Sequence, residues 1–519
     1  MFKLFRFIAI TYCFIAAQPA YATCSSPTGV AGEVGYNITG GNQYEYCDDT
    51  NWVVMGNIIF STPTIGIINI GTSHSCGIAT DSKAYCWGSG ANGRLGNNTT
   101  LSQTEPVEVH AGEGPGTFSQ VSAGRAHSCG IATDSKAYCW GSGGSGRLGN
   151  NTTPSQTEPV EVHAGESPGT LTQVSAGDEH SCGIATDGKA YCWGQGGNGR
   201  LGNNDTVNQL EPVEVRAGES PGTFTQVSAG RAHSCGIATD GKVYCWGSNT
   251  FGQLGNGNTF SNENEPVEVH ARESPGTFTQ VSAGDEHSCG IATDGKAYCW
   301  GQGDNGRLGN NDDDDHSEPV EVRAGESPGT FTQVSAGNEH SCGIATDGKA
   351  YCWGHQSNGR LGNDTDANSN QEEPVEVHAG EGFEFSTQVG AGDRHSCGIA
   401  INGKAYCWGL GTQGRLGNNL TATRDEPVEV HAGENTAATF GVGISCITTG
   451  VMDYSNTKHT YEWCDGSALY EVSDTQGAGG AGCAATGALI AGSEGAMQYD
   501  TANNKMVFCG GTNWINIPN

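Results

Sequence analysis

Basic residues and long apolar runs are both scarce in this chain of 519 residues. Lysine and arginine together number 24, against 56 aspartates and glutamates, which gives a formal net charge of −32. Nucleic-acid backbones and anionic bilayers both attract basic protein surfaces, so this imbalance argues against either partner. After the first 22 residues, no segment approaches the roughly 20 apolar residues of a membrane-spanning helix. The sequence therefore predicts neither nucleic-acid binding nor membrane insertion.

Glycine is abundant instead, and its distribution excludes two further classes. The chain has 82 glycines, about 16% of all residues against a usual ~7%. They follow no Gly-X-Y period, so the chain is not a collagen. They are spread throughout, and helix interiors tolerate glycine poorly. A single large helical core is thus excluded, whereas many thin β-layers are compatible with this composition.

The first 22 residues have the three-part pattern of a secretory signal peptide. Lys3 and Arg6 give a positive start, and residues 7–17 are mostly apolar. Ala20-Tyr21-Ala22 is a small-x-small cleavage site. The apolar run is too short for a transmembrane anchor. We expect residues 1–22 to be removed on export, which places the mature protein outside the cell, in a periplasm or at the cell surface.

The cysteines support export. There are 21 of them, and Cys13 lies in the signal peptide, which leaves an even number. Many evenly spaced cysteines in an exported chain indicate a disulfide framework.

A sevenfold repeat dominates the rest of the sequence. The string His-Ser-Cys-Gly-Ile recurs every 53 to 55 residues. Its copies begin at His74, His127, His180, His233, His287, His340 and His395. Self-similarity at such a period indicates stacked supersecondary units.

Each repeat has the pattern of four short strands. In the repeat that begins at Phe278, the segments FTQVSAG, SCGIAT, KAYCW and EPVEV are strand-like, and GQGDNGRLGNN has the composition of a loop. Asp294-Gly295 predicts a two-residue hairpin between the second and third strands. The small residues of VSAG suit a crowded axis, and Glu105 and Pro106 in the first repeat protect an exposed outer edge. Four strands repeated seven times predict an all-β, seven-bladed β-propeller.

One motif also carries a family resemblance. The pattern G-x-x-H-S-C-x-I-x-x-D-G-K-x-Y-C-W-G followed by G-R-L-G, as in Gly284 to Gly309, resembles the repeat of the regulator of chromosome condensation family. The bacterial branch with paired cysteines is the closer match. The resemblance covers residues 58–434 and implies a seven-bladed propeller. Many such propellers close the ring by pairing strands from both chain ends, but the repeats do not reveal a closing strand here.

Each repeat contains two cysteines ten residues apart, on the two arms of one predicted hairpin. The predicted disulfides are Cys76–Cys86, Cys129–Cys139, Cys182–Cys192, Cys235–Cys245, Cys289–Cys299, Cys342–Cys352 and Cys397–Cys407. A strict two-residue turn would place the two sulfurs on opposite faces, so these bonds need a longer loop or a bulge. Bridges between neighbouring blades are the alternative.

Three other repeated features have structural explanations. A histidine beside each cysteine would suit a thiol nucleophile or a zinc site, but seven equivalent copies favour a hydrogen bond to the turn before its strand. The tryptophan after each second cysteine, Trp87 in the first repeat, suits packing between blades. Five G-x-G-x-x-G matches lack a βαβ frame and do not indicate a dinucleotide. We therefore expect no catalytic residues, no cofactor and no metal site, and we interpret Asp312 to Asp315 as solvated rather than as a calcium loop.

The repeats differ most in the pair of residues before each histidine. These pairs lie in loops that join two strands, so they should ring one face of the disc, and loops of this kind carry binding. The candidate binding face comprises Arg125, Asp178, Glu179, Arg231, Asp285, Glu286, Asn338, Glu339, Asp393 and Arg394. Drift in unconstrained loops is the alternative explanation.

The sequence divides into four regions. They are the signal peptide 1–22, an N-terminal module 23–57, the propeller 58–434 and C-terminal modules 435–519 with a glycine-rich linker at 475–482. The end modules are predicted to be hairpins pinned by disulfides. Their cysteine pairs are Cys24–Cys47, Cys446–Cys464 and Cys483–Cys509.

The predicted function is an exported, non-enzymatic scaffold that presents a loop face to a protein or glycan. The family resemblance implies nucleotide exchange on a small GTPase for eukaryotic members, but export and acidity make that activity a poor fit here. Some secreted bacterial members inhibit β-lactamases through the disc face. A polysaccharide hydrolase is one alternative, although the inward strands contain only Ser, Ala, Val and Gln. An adhesin or surface-layer component attached through its end modules is another.

Overall fold

The computed structural model describes the backbone of residues 65–364, 370–378 and 385–431, and of nine short strands outside this range. Contacts divide the chain into two compact units, Thr62–Gly443 and a second unit made of Met1–Ser61 with Ile444–Asn519. The predicted signal peptide and the linker 475–482 lie outside the described residues. Within the described part of the chain, no helix is both long and apolar enough to cross a membrane.

The second unit contains three separate antiparallel sheets of three strands each. The sequence predicts hairpins here, and each sheet has one strand more. Their strands are Val34–Asn37, Gln43–Cys47 and Trp52–Val54; Val451–Ser455, Thr460–Cys464 and Leu469–Val472; and Met497–Asp500, Lys505–Gly510 and Asn513–Asn516. The three disulfides predicted for these modules involve side chains outside the described part.

The other unit confirms the seven-bladed all-β propeller. Every repeat folds into one antiparallel sheet whose four strands follow in chain order, and these sheets are blades 1 to 7. The first strands are Ile65–Ile70, Phe118–Ala123, Leu171–Ala176, Phe224–Ala229, Phe278–Ala283, Phe331–Ala336 and Phe385–Ala391. The second strands are His74–Ala79, His127–Ala132, His180–Ala185, His233–Ala238, His287–Ala292, His340–Ala345 and His395–Ala400.

The third and fourth strands complete each blade. The third strands are Ala84–Gly88, Ala137–Gly141, Ala190–Gly194, Val243–Gly247, Ala297–Gly301, Ala350–Gly354 and Ala405–Gly409. The fourth strands are Gln103–Glu108, Gln156–Glu161, Gln209–Glu214, Glu263–Glu268, His316–Glu321, Gln371–Glu376 and Arg424–Glu429. In the described part of this unit, the helical elements are six three-residue 3-10 turns, Ala91–Gly93, Gly144–Gly146, Gly197–Gly199, Asp304–Gly306, Ser357–Gly359 and Thr412–Gly414.

The first strands line the axis, where the blades are most crowded. Ala123 and its equivalents surround a central cavity, each followed by a glycine. A Cβ on Gly124 would collide with the carbonyl oxygen of Gly177 in the next blade, and the same relation passes around the ring. Glycine is therefore the residue that allows seven strands to meet at the axis, as the small residues of VSAG predict.

The hairpin between the second and third strands differs from the predicted two-residue turn. Ala79 pairs with Lys83 through a backbone hydrogen bond, which leaves three residues in the loop. The last loop residue, Ser82 in this blade, has a positive φ of 63°, and glycine takes this position where the sequence reads Asp-Gly. The prediction of a two-residue turn was wrong because it did not count the threonine before the aspartate.

This extra loop residue brings the paired cysteines directly opposite each other. Cys76 and Cys86 are register partners with their Cα atoms 4.1 Å apart. All seven predicted disulfides form within a blade, and the alternative of bridges between blades is excluded for them.

The two faces of each blade differ, and this difference drives the stacking. One face presents the disulfide, and the opposite face presents Trp and Tyr. At the junction of blades 1 and 2, Cys76 and Cys86 pack in one cluster with Tyr138 and Trp140. Equivalent clusters fill the other six junctions. The tryptophans therefore lie between adjacent blades, as predicted.

The ring closes without a strand exchanged between chain ends. Blade 7 packs its disulfide face against Tyr85 and Trp87 of blade 1, as at any other junction. Gln388 adds two hydrogen bonds to the backbone of Ile68, at 2.8 and 2.7 Å. Because each repeat forms a complete blade, closure needs only one more copy of the same interface.

Candidate functional site

A polar contact joins the second strands of neighbouring blades beneath one face of the disc. His74 Nε2 lies 2.7 Å from Ser128 Oγ, and this hydroxyl donates to the carbonyl of Arg94. All seven junctions have the His–Ser pair, and His395 with Ser75 completes the ring. The histidine is structural, as predicted, but its partner is the next blade's serine rather than the preceding turn.

These histidines are fully buried and neutral. Because Ser128 Oγ donates to a carbonyl, the Nε2 of His74 carries the proton that it shares with this hydroxyl. Burial, followed by the charge of nearby arginines, lowers the pKa of every one of the seven. For His233 the pKa falls to about 3. This ring is a structural element, and its members have no access to a substrate.

The face above this ring contains the variable pairs. The loops between first and second strands place Thr72, Arg125, Asp178, Asp285, Asn338 and Asp393 around the mouth of the central cavity. The same loops contact the loops between third and fourth strands, as where Ser89 N donates to Ser73 O. The variable pairs and the loops between third and fourth strands therefore lie together on one face.

Charges on this face are arranged in pairs. Arg125 Nη1 lies 3.4 Å from Asp178, and Arg231 Nη1 lies 2.8 Å from Glu286. Asn338 donates to Asp393 at 2.7 Å. Most of these contacts join neighbouring blades, so the variable residues form a connected surface.

Two aspartates on this surface have raised pKa values. Burial raises the pKa of Asp178, and the charge of Arg125 offsets part of this effect. Burial and the negative charge of Asp178 raise the pKa of Asp285 well above its usual value. Within the described residues, the carboxylate of Asp285 has no ion pair or hydrogen bond.

Six of the ten predicted face residues line a single cleft of about 340 Å³. They are Arg125, Asp178, Glu179, Arg231, Asp285 and Glu286. The cleft spans blades 2 to 5 and is also lined by Phe251 and Gln253 of blade 4. Asn338, Glu339, Asp393 and Arg394 belong to blades 6 and 7 and lie outside this cleft. Its volume is at the lower end of the roughly 300–1,000 Å³ typical of ligand pockets.

Gln253 is among the cleft residues that sequence reasoning missed. In six blades the G-R-L-G arginine donates across the junction, as from Arg147 Nη1 to the carbonyl of Asp178 at 2.9 Å. Blade 4 has Gln253 in this position. The sequence shows the difference, because one repeat has G-Q-L-G and the other six have G-R-L-G. Its consequence is visible only in the structure, where the arginine donates to a carbonyl of the next blade.

Carboxylate clusters elsewhere are accounted for by local contacts. Asp312 contacts His316 at 3.1 Å, and Asp315 accepts from the backbone of Gly303 at 3.0 Å. Among the residues the structure describes, Asp364, His378 and Glu426 have ligand atoms within 4.8 Å of one another, on an open surface. A histidine and the next blade's glutamate meet in other blades as a simple pair, as in His110–Glu158.

The fold and this face together define a seven-bladed β-propeller with a charged loop surface. A family model described as "RCC1-like domain" matches residues 113–449. Models of the regulator of chromosome condensation (RCC1) repeat match residues 81–131 and 67–94. The chain belongs to this family.

Relatives share the propeller. The chain is 29% identical over 367 residues to the ultraviolet-B receptor UVR8 of Arabidopsis thaliana, covering 70% of this chain and 81% of the receptor. It is 28% identical over 356 residues to the human E3 ubiquitin-protein ligase HERC2, covering 64% of this chain but only 7% of the ligase. The structure of Prp20p from Saccharomyces cerevisiae matches with a TM-score of 0.59 and 20% identity, over 72% of this chain and 88% of Prp20p. That structural likeness is one of fold.

Proposed function

We propose that this protein is an exported, non-enzymatic scaffold that binds another protein through the loop face containing the cleft. The observation that carries the proposal is the contrast between the repeated contacts of the blades and the variable residues of the loop face. Seven blades repeat the same disulfide, tryptophan and histidine contacts, whereas the departures from the repeat gather around the axial mouth and the cleft. A rigid frame with a variable loop face is the arrangement of a binding protein.

The relatives support a role in protein interaction. Prp20p has binding properties to Gsp1p and histones. UVR8 is an ultraviolet-B receptor, and HERC2 is an E3 ubiquitin-protein ligase. Nucleotide exchange is not part of our proposal. The seven disulfides require an oxidising compartment, which supports a location outside the cytoplasm.

The loop face is tested by a matched pair of charge reversals in blade 4. Arg231→Glu breaks an exposed ion pair of 2.8 Å on the face, and Lys242→Glu breaks an exposed ion pair of 2.7 Å beside the hairpin at the other end of the strands. Both variants should fold, because exposed ion pairs contribute little to stability.

The measurement is capture of proteins from the exported fraction of the source cells, followed by binding assays with the purified partner. We expect Arg231→Glu to weaken capture at least tenfold and Lys242→Glu to leave it unchanged. Equal capture by both variants would remove the loop face from the proposal. Capture of a glycan, or turnover of a polysaccharide that Asp285→Asn abolishes, would favour the alternative functions.

A further inference from the structure

One junction of the propeller lacks an arginine that the other six supply. The arginine of G-R-L-G folds over its own 3-10 turn and donates from Nη1 to a loop carbonyl of the next blade. The donors are Arg94, Arg147, Arg200, Arg307, Arg360 and Arg415, with distances of 2.8 to 3.3 Å. The receiving carbonyls belong to the first residue of each variable pair.

In blade 4 the equivalent side chain does not cross the junction. Gln253 is buried, and its Oε1 accepts from the backbone of Phe251 in its own loop at 2.9 Å. The carbonyl that an arginine would reach is that of Asp285. Among the described residues nothing donates to this carbonyl or to the Asp285 carboxylate. Gln253 and Asp285 both line the cleft.

The junction of blades 2 and 3 is an internal template for the occupied state. There the receiving pair is Asp178-Glu179, the same dipeptide as Asp285-Glu286 in blade 5. Arg147 donates to the carbonyl of Asp178, and its Nη2 lies 4.0 Å from Glu179. One junction thus has the arginine with its acidic pair. At the other junction the acidic pair faces the cleft, with Glu286 paired to Arg231 and the Asp285 carboxylate without an ion pair among the described residues.

We infer that the cleft beside Gln253 is a binding site for a guanidinium group, supplied as an exposed arginine of the partner protein. The planar fork of guanidinium matches two acceptors at once, which a carbonyl with a nearby carboxylate provides. Glu286 is already paired with Arg231 and Asp178 with Arg125, so the group left for such a ligand is the carboxylate of Asp285 together with its backbone carbonyl. This inference rests on the proposed function, because it names the group that the loop face recognises.

The experiment measures binding of N-acetyl-arginine-N-methylamide to the full-length oxidised protein by NMR or calorimetry at millimolar concentration. We expect saturable binding with one site, at least tenfold tighter than that of the citrulline analogue, which has the same shape without the charge. The lysine analogue should bind more weakly than arginine, since ammonium lacks the planar fork. Absence of saturable arginine binding, or equal binding of arginine and citrulline, would overturn the inference.

Gln253→Arg is the decisive variant because it restores the repeat. We expect the new arginine to occupy the cleft and to weaken the binding of N-acetyl-arginine-N-methylamide at least tenfold. The melting temperature should stay the same or rise. The reciprocal variant, Arg147→Gln, removes the arginine from the template junction and should raise the stoichiometry from one site to two. If Gln253→Arg lowers the melting temperature, Asp285→Asn is the variant to use instead. We expect Asp285→Asn to weaken binding of the arginine analogue at least fivefold. Unchanged binding in the replacing variant contradicts the site.

Gln253→Arg also distinguishes the proposal of a binding loop face from the proposal of an arginine site within it. If Gln253→Arg still captures the exported partner while Arg231→Glu does not, the loop face stands and the arginine site is wrong. If neither variant affects capture, the loop face itself is not the binding surface.

Discussion

At the scale of single residues, burial decides the chemistry of the repeated histidines. A histidine next to a cysteine is a common arrangement for metal binding or catalysis. Here the cysteine is bonded to its blade partner and the imidazole shares a proton with a serine of the next blade. Removal from water holds the ring neutral, so it serves as a hydrogen-bonding connector between blades.

This burial makes the propeller sensitive to acid. His233 stays neutral in the folded state down to a pKa of about 3, whereas the unfolded chain takes up the proton below about pH 6.5. Its stabilising contribution is complete above that pH and is lost as the pH falls toward 3, at about 1.4 kcal/mol per pH unit. Urea unfolding between pH 7 and pH 4 measures this slope.

The variant His233→Gln isolates one histidine. We expect the free energy of unfolding of this variant to fall less steeply with acid. The difference in slope should correspond to about one proton fewer taken up on unfolding than in the unchanged protein. His163→Gln is the control, because His163 is an exposed histidine on the outer rim. Identical slopes in the unchanged protein and His233→Gln would refute the argument.

At the scale of elements, the loop after the third strand determines how blades fit together. The last glycine of G-R-L-G has a positive φ and lies against the tryptophan of the next blade. A side chain there would need both a strained backbone and a displaced indole. The loop motif is thus a packing surface for the neighbouring blade as well as a turn.

Gly202→Ala tests this contact. Gly202 has φ +69° and its Cβ would meet Trp246, whereas a Cβ on Gly197 in the same loop would meet nothing within 4 Å. We expect Gly202→Ala to lower the free energy of unfolding by about 2–4 kcal/mol, from backbone strain and overpacking. Gly197→Ala should change it by less than about 0.5 kcal/mol. Similar effects of the two substitutions in urea unfolding would argue against the packing role.

At the scale of the whole molecule, the ring is closed by repetition. The interface between blades 7 and 1 uses an equivalent apolar cluster and two glutamine hydrogen bonds like those that Gln226 makes to Val281 at an internal junction. Stability should therefore be distributed evenly around the ring, and function should depend on the places where the repeat is broken.

The two glutamine substitutions Gln388→Ala and Gln226→Ala compare the closing junction with an internal one. Each removes two hydrogen bonds to the next blade, to Ile68 and to Val281 respectively. At about 0.5–1.5 kcal/mol for each net hydrogen bond, both should cost about 1–3 kcal/mol. A loss of folding only for Gln388→Ala, seen by circular dichroism, would show that closure is a special and weaker junction.

The sequence by itself determined the number of blades, the strands within each repeat, the cysteine pairs of the seven blades and the loops that form the candidate face. It could do so because these features are local or periodic, and seven copies average out the ambiguity of any one. It could not determine the three-residue hairpin, the serine that each histidine meets, the closure of the ring or the significance of Gln253. Those depend on contacts between residues some 30 to 330 positions apart in adjacent blades or on the geometry of a turn. Only the folded ring shows that an arginine from one repeat ends on the carbonyl of the next. It therefore shows that glutamine in blade 4 leaves the carbonyl of Asp285, beside the cleft, without the arginine that the other junctions supply.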